Sequence, residues 1–248
     1  MKLVGILCFY DEPAEWLAEC AGSLSFCDHL VAVDGAYALF PYGTAESPAD
    51  QREAITRAAS KVGLTYTLYV PEAVYAGNEV EKRNLSLDLA REFCDGPEDW
   101  FVVVDADEVV TYASDWLRWD LAETQCHSAT YGLYDSLELP GAEVTGRFAS
   151  PVRAVYRNLP GLRYEGRHCI LAAELNGEKV YVWAAMPGYD ELGAQDIRHV
   201  LRVMHRQRER EKGRLTRAKA YYQTRDLLNA EPTREVLMEK VDGTVGPL

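Results

Sequence analysis

Trp100-Phe-Val-Val-Val-Asp-Ala-Asp-Glu108 is the stretch that decides the reading of this chain. Four consecutive apolar residues, Phe101 to Val104, follow a break at Gly96-Pro97 and have the length of a strand rather than a helix. A strand with no polar alternation is buried on both faces, as in a parallel sheet covered by helices. Three acids in four residues then emerge at its end. Carboxylates at alternating positions of a tight turn can converge on one divalent cation, and oxygen ligands suit Mg²⁺ or Mn²⁺. A charged turn after a strand is the plain alternative.

Outward from this segment, strand and helix signals alternate. Leu3–Phe9 and His29–Val33 are short apolar runs, and Leu64–Val70 is a third. Pro13 opens a helical pattern in which Trp16, Leu17, Cys20 and Leu24 recur on one face; proline is well tolerated in a first turn. A Gly, Pro and Ser-rich loop runs to Pro48, a helix follows through Ala59, and Glu79–Phe93 is helical. This alternation predicts an α/β fold: a mainly parallel sheet flanked by helices, with its ligand crevice beyond the carboxyl ends of the strands. Asp11, Asp34 and Asp105 all fall just after predicted strands. The second half is less regular. Ala129–Leu139, Val152–Arg157 and Lys179–Trp183 have strand character, and Asp196 to about Leu228 reads as helical.

The chain has 248 residues, 48% of them hydrophobic, and a formal charge of −13. That charge disfavours nucleic-acid binding over the whole surface. Arg198–Arg225 holds ten Lys/Arg and two Glu, a local +8 that leaves −21 on the remainder. Such a segment is a solvated face, or a contact for phosphate, membrane or nucleic acid. The six cysteines are scattered without a C-x-x-C pair, which points to reduced thiols and a cytoplasmic setting. The run Val4–Tyr10 is too short for a signal peptide or a spanning helix.

Several chemistries use an apolar strand tipped with acids. A P-loop NTPase needs G-x-x-x-x-G-K-[ST], and no such loop occurs here. A phosphatase of the haloacid-dehalogenase type matches Asp105-Ala106-Asp107, but the later acidic motif is missing. A nucleotidyltransferase would want a Gly-rich loop near the start, and Gly5-Ile6-Leu7 is not one. On the helix after Gly77, Lys82 and Arg83 can contact a diphosphate near the helix start. His29 and His127, at strand starts, read as structural or exposed. His168 lies beside Glu165, and His199 and His205 lie on the basic segment, where His205 next to Met204 is the better metal ligand.

Phe9-Tyr10-Asp11-Glu12, Asp34-Gly35, Lys82-Arg83-Asn84 and Trp100–Glu108, in this order and spacing, resemble the family-2, GT-A-type glycosyltransferases. The stretch Val33-Asp-Gly-Ala-Tyr37 is similar to small bacteriophage-encoded members, for which the setting would be the host cytoplasm. The resemblance implies a GT-A-like, Rossmann-like domain over 1–195 and a C-terminal helical extension over 196–248. It also implies inverting transfer from a UDP- or GDP-linked sugar, with Mn²⁺ or Mg²⁺, to an acceptor hydroxyl on a glycan, protein or modified nucleobase. Tyr10, Asp11 and Asp34 would lie near base and ribose, and Lys82 and Arg83 near the donor phosphates. Asp105, Asp107 and His205 would hold the metal. Glu191, Asp190 and His168 are the candidates for the base that deprotonates the acceptor, with Glu191 and Asp190 favoured by the exposed loop that Pro187-Gly188-Tyr189 implies. A phosphatase with Asp105 as nucleophile, or a non-catalytic nucleotide or nucleic-acid binder, is the alternative.

Overall fold

A computed structural model describes residues 1–36, 44–76, 79–135, 150–184 and 192–206. Its first half runs β1 (Leu3–Cys8), α1 (Ala14–Ser23), β2 (His29–Val33), α2 (Ala49–Lys61), β3 (Thr65–Tyr69), α3 (Val80–Arg91) and β4 (Trp100–Asp105). These strands pair in parallel in the order β3-β2-β1-β4. The apolar run of β4 is buried throughout, as its composition requires, and Val102 sits between Gly5 of β1 and Val155 of a later strand. Each fully buried Val or Leu here contributes about 1.5–3 kcal/mol. A carboxylate at position 102 would break this packing, since it would be buried without a partner on one face of the sheet.

Right-handed crossovers fix where the helices go. β1-α1-β2 and β2-α2-β3 step one way along the sheet, so α1 and α2 share a face and pack on each other. α3 steps back across β1 to reach β4 and covers the other face, against β1 and β2. Pro13 and Pro48, with φ of −53° and −51°, start α1 and α2; α1 then buries Trp16, Leu17, Cys20 and Ala21 as a stripe. Leu24, just past the end of α1, packs close over Gly5 of β1, where a Cβ would stand 3.3 Å from its Cδ1.

The second half comprises β5 (Glu108–Ala113), α4 (Leu117–Glu123), β6 (Ser128–Asp135), β7 (Ser150–Arg157), β8 (Arg163–Glu165), β9 (Arg167–Leu175), β10 (Glu178–Ala184), β11 (Ala194–Asp196) and β12 (Leu201–His205). The main sheet continues β4-β7-β6-β12-β5, with β11 on β6, and mixes parallel and antiparallel pairs. Only Ala106 and Asp107 separate β4 from β5, yet three strands lie between them in hydrogen-bonding order. The stretch of sheet from β4 to β5 therefore curls back until β5 returns to the end of β4 at that turn. β8, β9 and β10 form a separate small sheet against α3. Asn84 of α3 clasps it: Nδ2 donates to the Tyr164 carbonyl at 3.0 Å, and Oδ1 accepts from the Tyr164 amide at 2.8 Å.

The α/β, Rossmann-like reading and the first-half elements match the structure to within about two residues. One expectation is corrected. Leu201–His205 is not helical but a strand, parallel to β6 and antiparallel to β5, so the main sheet runs past residue 195 to His205. The rest of the basic segment and of the C-terminal extension, 207–248, lies outside the described residues. The five cysteines whose side chains are described are free thiols. No described helix is long and apolar enough to cross a membrane.

Candidate functional site

In the order β3-β2-β1-β4 the connections reverse direction between β1 and β4, and the crevice of such a sheet opens there, beyond the strand ends. Register brings Cys8 opposite Asp105. Phe9–Glu12 and Asp105–Glu108 thus flank the crevice, with Asp34 one strand further.

The loops on the β1–β2 side are held by buried polar groups. Asp34 is fully buried. Its Oδ1 accepts from the Gly35 amide at 2.6 Å and the Ser47 hydroxyl at 2.5 Å, and Oδ2 accepts from the Ser47 amide at 2.9 Å. Ser47 Oγ also accepts from the Asp11 amide at 3.2 Å, so one serine joins the ends of β1 and β2. Tyr10 adds a second link, its hydroxyl accepting from the Thr44 amide at 2.7 Å. Gly35 has φ +110°, and a Cβ would meet Pro71 Cγ at 2.5 Å and the Ala45 carbonyl at 2.8 Å. Only glycine fits. Asp34, expected at a ribose, is instead turned inward to shape this loop.

Lys82 is buried as well. It was expected at donor phosphates but is only 1% exposed, and its Nζ donates to the carbonyls of Phe9 at 2.5 Å and Gly35 at 2.8 Å. The rings of Phe9 and Tyr75 lie 6.0 and 5.8 Å from the ammonium. Burial pushes its pKa down to about 8, against the partial opposition of Asp34. Lys82 ties the two loops together.

On the β4 side the acids part company. Asp105 is half exposed and pairs with Arg83, Oδ1 to Nη2 at 3.1 Å. Arg83 also lies 5.8 Å over the Tyr164 ring. Asp107 is 2% exposed and meets His205, Oδ2 to Nε2 at 3.0 Å. Burial pulls the His205 pKa down, but the hydrogen bond to Asp107 and the charges of Asp107, Glu108 and Asp105 prevail and raise it. The next residue, Arg206, donates its amide to the Asp107 carbonyl at 2.9 Å, pairs with Glu19 and covers Trp16. Glu108 is 6% exposed; burial, then the charge of Asp105, pushes its carboxyl well above the usual range.

The structure therefore brings together Asp105 with Arg83 and Asp107 with His205, on a turn beside Tyr10 and Asp11. A buried carboxylate touching an imidazole is a pair of potential metal donors; the carboxylate suits Mn²⁺ or Mg²⁺, while imidazole is the more usual ligand of later transition metals. Among the described residues no group of three or more His, Cys, Asp or Glu is assembled as a metal cluster. Asp190 and Glu191 lie outside the described residues; His168 falls in β9, and its side chain is likewise outside them. His29 is structural, as expected: its ring nitrogens meet the Thr65 and Thr67 hydroxyls at 2.8 and 3.0 Å. Sequence reasoning left Ser47, Tyr164 and Tyr131 out of the site. Each acts through partners 13 to 80 residues away, which no local pattern encodes.

No family model and no curated protein matches the chain. Among solved structures, it is similar to a Bacillus anthracis protein described as a glucose-1-phosphate thymidylyltransferase, crystallised in complex with a sucrose. The identity is 10% and the TM-score 0.34, over 62% of this chain and 68% of that one. A likeness of that degree carries no argument about the reaction.

Proposed function

We propose that this chain is a glycosyltransferase that moves a sugar from a nucleoside-diphosphate sugar to an acceptor hydroxyl, with Mn²⁺ or Mg²⁺. The observation that carries this reading is the Asp107–His205 contact at 3.0 Å beside the Asp105–Arg83 pair, at the switch point of the sheet. Asp107 and His205 would hold the metal, joined by Asp105 once it leaves Arg83. Bound there, the ion supplies neutralisation of the negative charge that develops on the departing diphosphate. Arg83 adds a fixed positive charge on the same side. Tyr10 and Asp11 border the space for the base and ribose, on loops that Ser47, Asp34 and Lys82 keep in place. Glu191, Asp190 and His168 remain the proposed bases for the acceptor proton.

The test is a thermal-shift screen of UDP- and GDP-sugars with and without Mn²⁺. A nucleotide sugar at about 100 times its Kd stabilises by about 2.7 kcal/mol, or about 5–10 °C for a chain of this size. The shift is expected to need metal and to vanish in Asp107→Asn. Failure of every nucleotide sugar to move the Tm, with Mn²⁺ or without it, would sink the proposal.

A further inference from the structure

Glu108 is buried, and it ties the start of the acidic turn to the neighbouring strands. Its Oε2 accepts the Asp105 amide at 2.9 Å, closing the two-residue turn from the far side. The same oxygen accepts the Tyr131 hydroxyl at 3.2 Å, from β6 on the opposite wall of the curled sheet. Its backbone is adjacent to Asp107 and stands opposite His205 in the β5–β12 pairing. Tyr131 is 1% exposed, so this is an interior bridge rather than a surface contact.

A carboxyl in this place is a poor choice for stability, being desolvated beneath two other acids. An apolar residue would fill the same volume at less cost. What it could not do is accept two hydrogen bonds at one point, and that acceptor sets the turn.

We propose that Glu108, held by Tyr131, is a positioning residue that fixes the Asp105-Ala106-Asp107 turn so that Asp107 faces His205 and Asp105 faces Arg83. Metal sites depend on such outer partners, whose loss typically costs about 10–100-fold in affinity. For the metal itself the inference rests on the function proposed above; the turn geometry does not.

The experiment compares Glu108→Gln, which keeps the acceptor oxygen, with Glu108→Met, which keeps the bulk and loses it. Mn²⁺ binding to the full chain is followed by electron paramagnetic resonance, and exchange of the Asp105 amide by NMR without metal. Glu108→Gln is expected to hold Mn²⁺ within about 3-fold of the parent and Glu108→Met to lose about 10-fold or more, with the Asp105 amide exchanging at least about 10-fold faster in the Met variant alone. Equal affinity and exchange in the Met variant and the parent would overturn the proposal, as would equal losses in both variants. If the parent itself binds no Mn²⁺, the metal reading fails while amide exchange still decides the positioning role. Should the Met variant not fold, Tyr131→Phe takes its place: faster Asp105 exchange supports the bridge, and unchanged exchange refutes it.

Discussion

Replacing Lys82 by methionine gives a sharp test of the buried strut between the β1 and β2 loops. The ammonium titrates near 8 in the folded protein, against an ordinary 10.5. Below the folded value both states hold the proton. Between the two values the unfolded chain holds it and the folded chain does not, so stability rises with pH through that window. The contribution is complete above 10.5 and is lost as pH falls through about 8. From about pH 7 to about pH 9.5 it amounts to about 1.5 factors of ten, or about 2 kcal/mol. At neutral pH alone the variant is less informative. It relieves a desolvation cost of about 3 kcal/mol but strips a donor from two carbonyls, at about 1–3 kcal/mol each. The pH slope avoids that cancellation, because all other titrating groups drop out of the difference between parent and variant. Urea unfolding of both proteins at the two pH values measures it. The parent should gain about 2 kcal/mol on Lys82→Met as pH rises; a difference constant to about 0.5 kcal/mol would refute a buried Lys82 that sheds its proton.

Gly35→Ala forces a Cβ against Pro71 and the Ala45 carbonyl at φ +110°, and is expected to cost about 3 kcal/mol, or about 6–12 °C in Tm by calorimetry. Asn84→Ala removes both clasps on Tyr164 and should cost about 2 kcal/mol, read from the urea midpoint; a change below about 0.5 kcal/mol would make the clasp incidental. In chelator-treated protein, the raised pKa of His205 gives stability that is complete below 6.5 and lost as pH rises through the folded value. The advantage of the parent over His205→Asn should therefore shrink as pH rises above 6.5, and growth over that range would contradict the Asp107–His205 pairing.

The parallel half of the sheet was legible because its signals are local. Phe101–Val104 cannot be half exposed, and Pro13 and Pro48 mark helix starts within a residue. β12 was misread because Val200, Val203 and Met204 fit a helical stripe, while the alternation Leu201–Val203 is too short to compete. The decision came from β5 and β6, which offer Leu201–His205 an edge on each side. Asp34 and Lys82 were misplaced for a related reason. A polar residue just past a strand, like Asp34, or near a helix start, like Lys82, looks as though it faces the crevice until its partners are known. Those partners are Ser47 and the carbonyls of Phe9 and Gly35, and a carbonyl leaves no mark in sequence.

The place of β12 between β6 and β5 also sets the order in which the molecule can be built. During synthesis β5 and β6 are made about 65 residues or more before the strand that joins them, and until then each presents an open edge of the kind that pairs with other chains. Asp107 likewise waits for His205, the last residue of the last described strand. A nascent chain stopped short of that point has its first-half sheet and its acidic turn but no finished pocket. The Asp107–His205 contact is in that sense a mark of completion: only a chain whose second half has closed on its first can carry it.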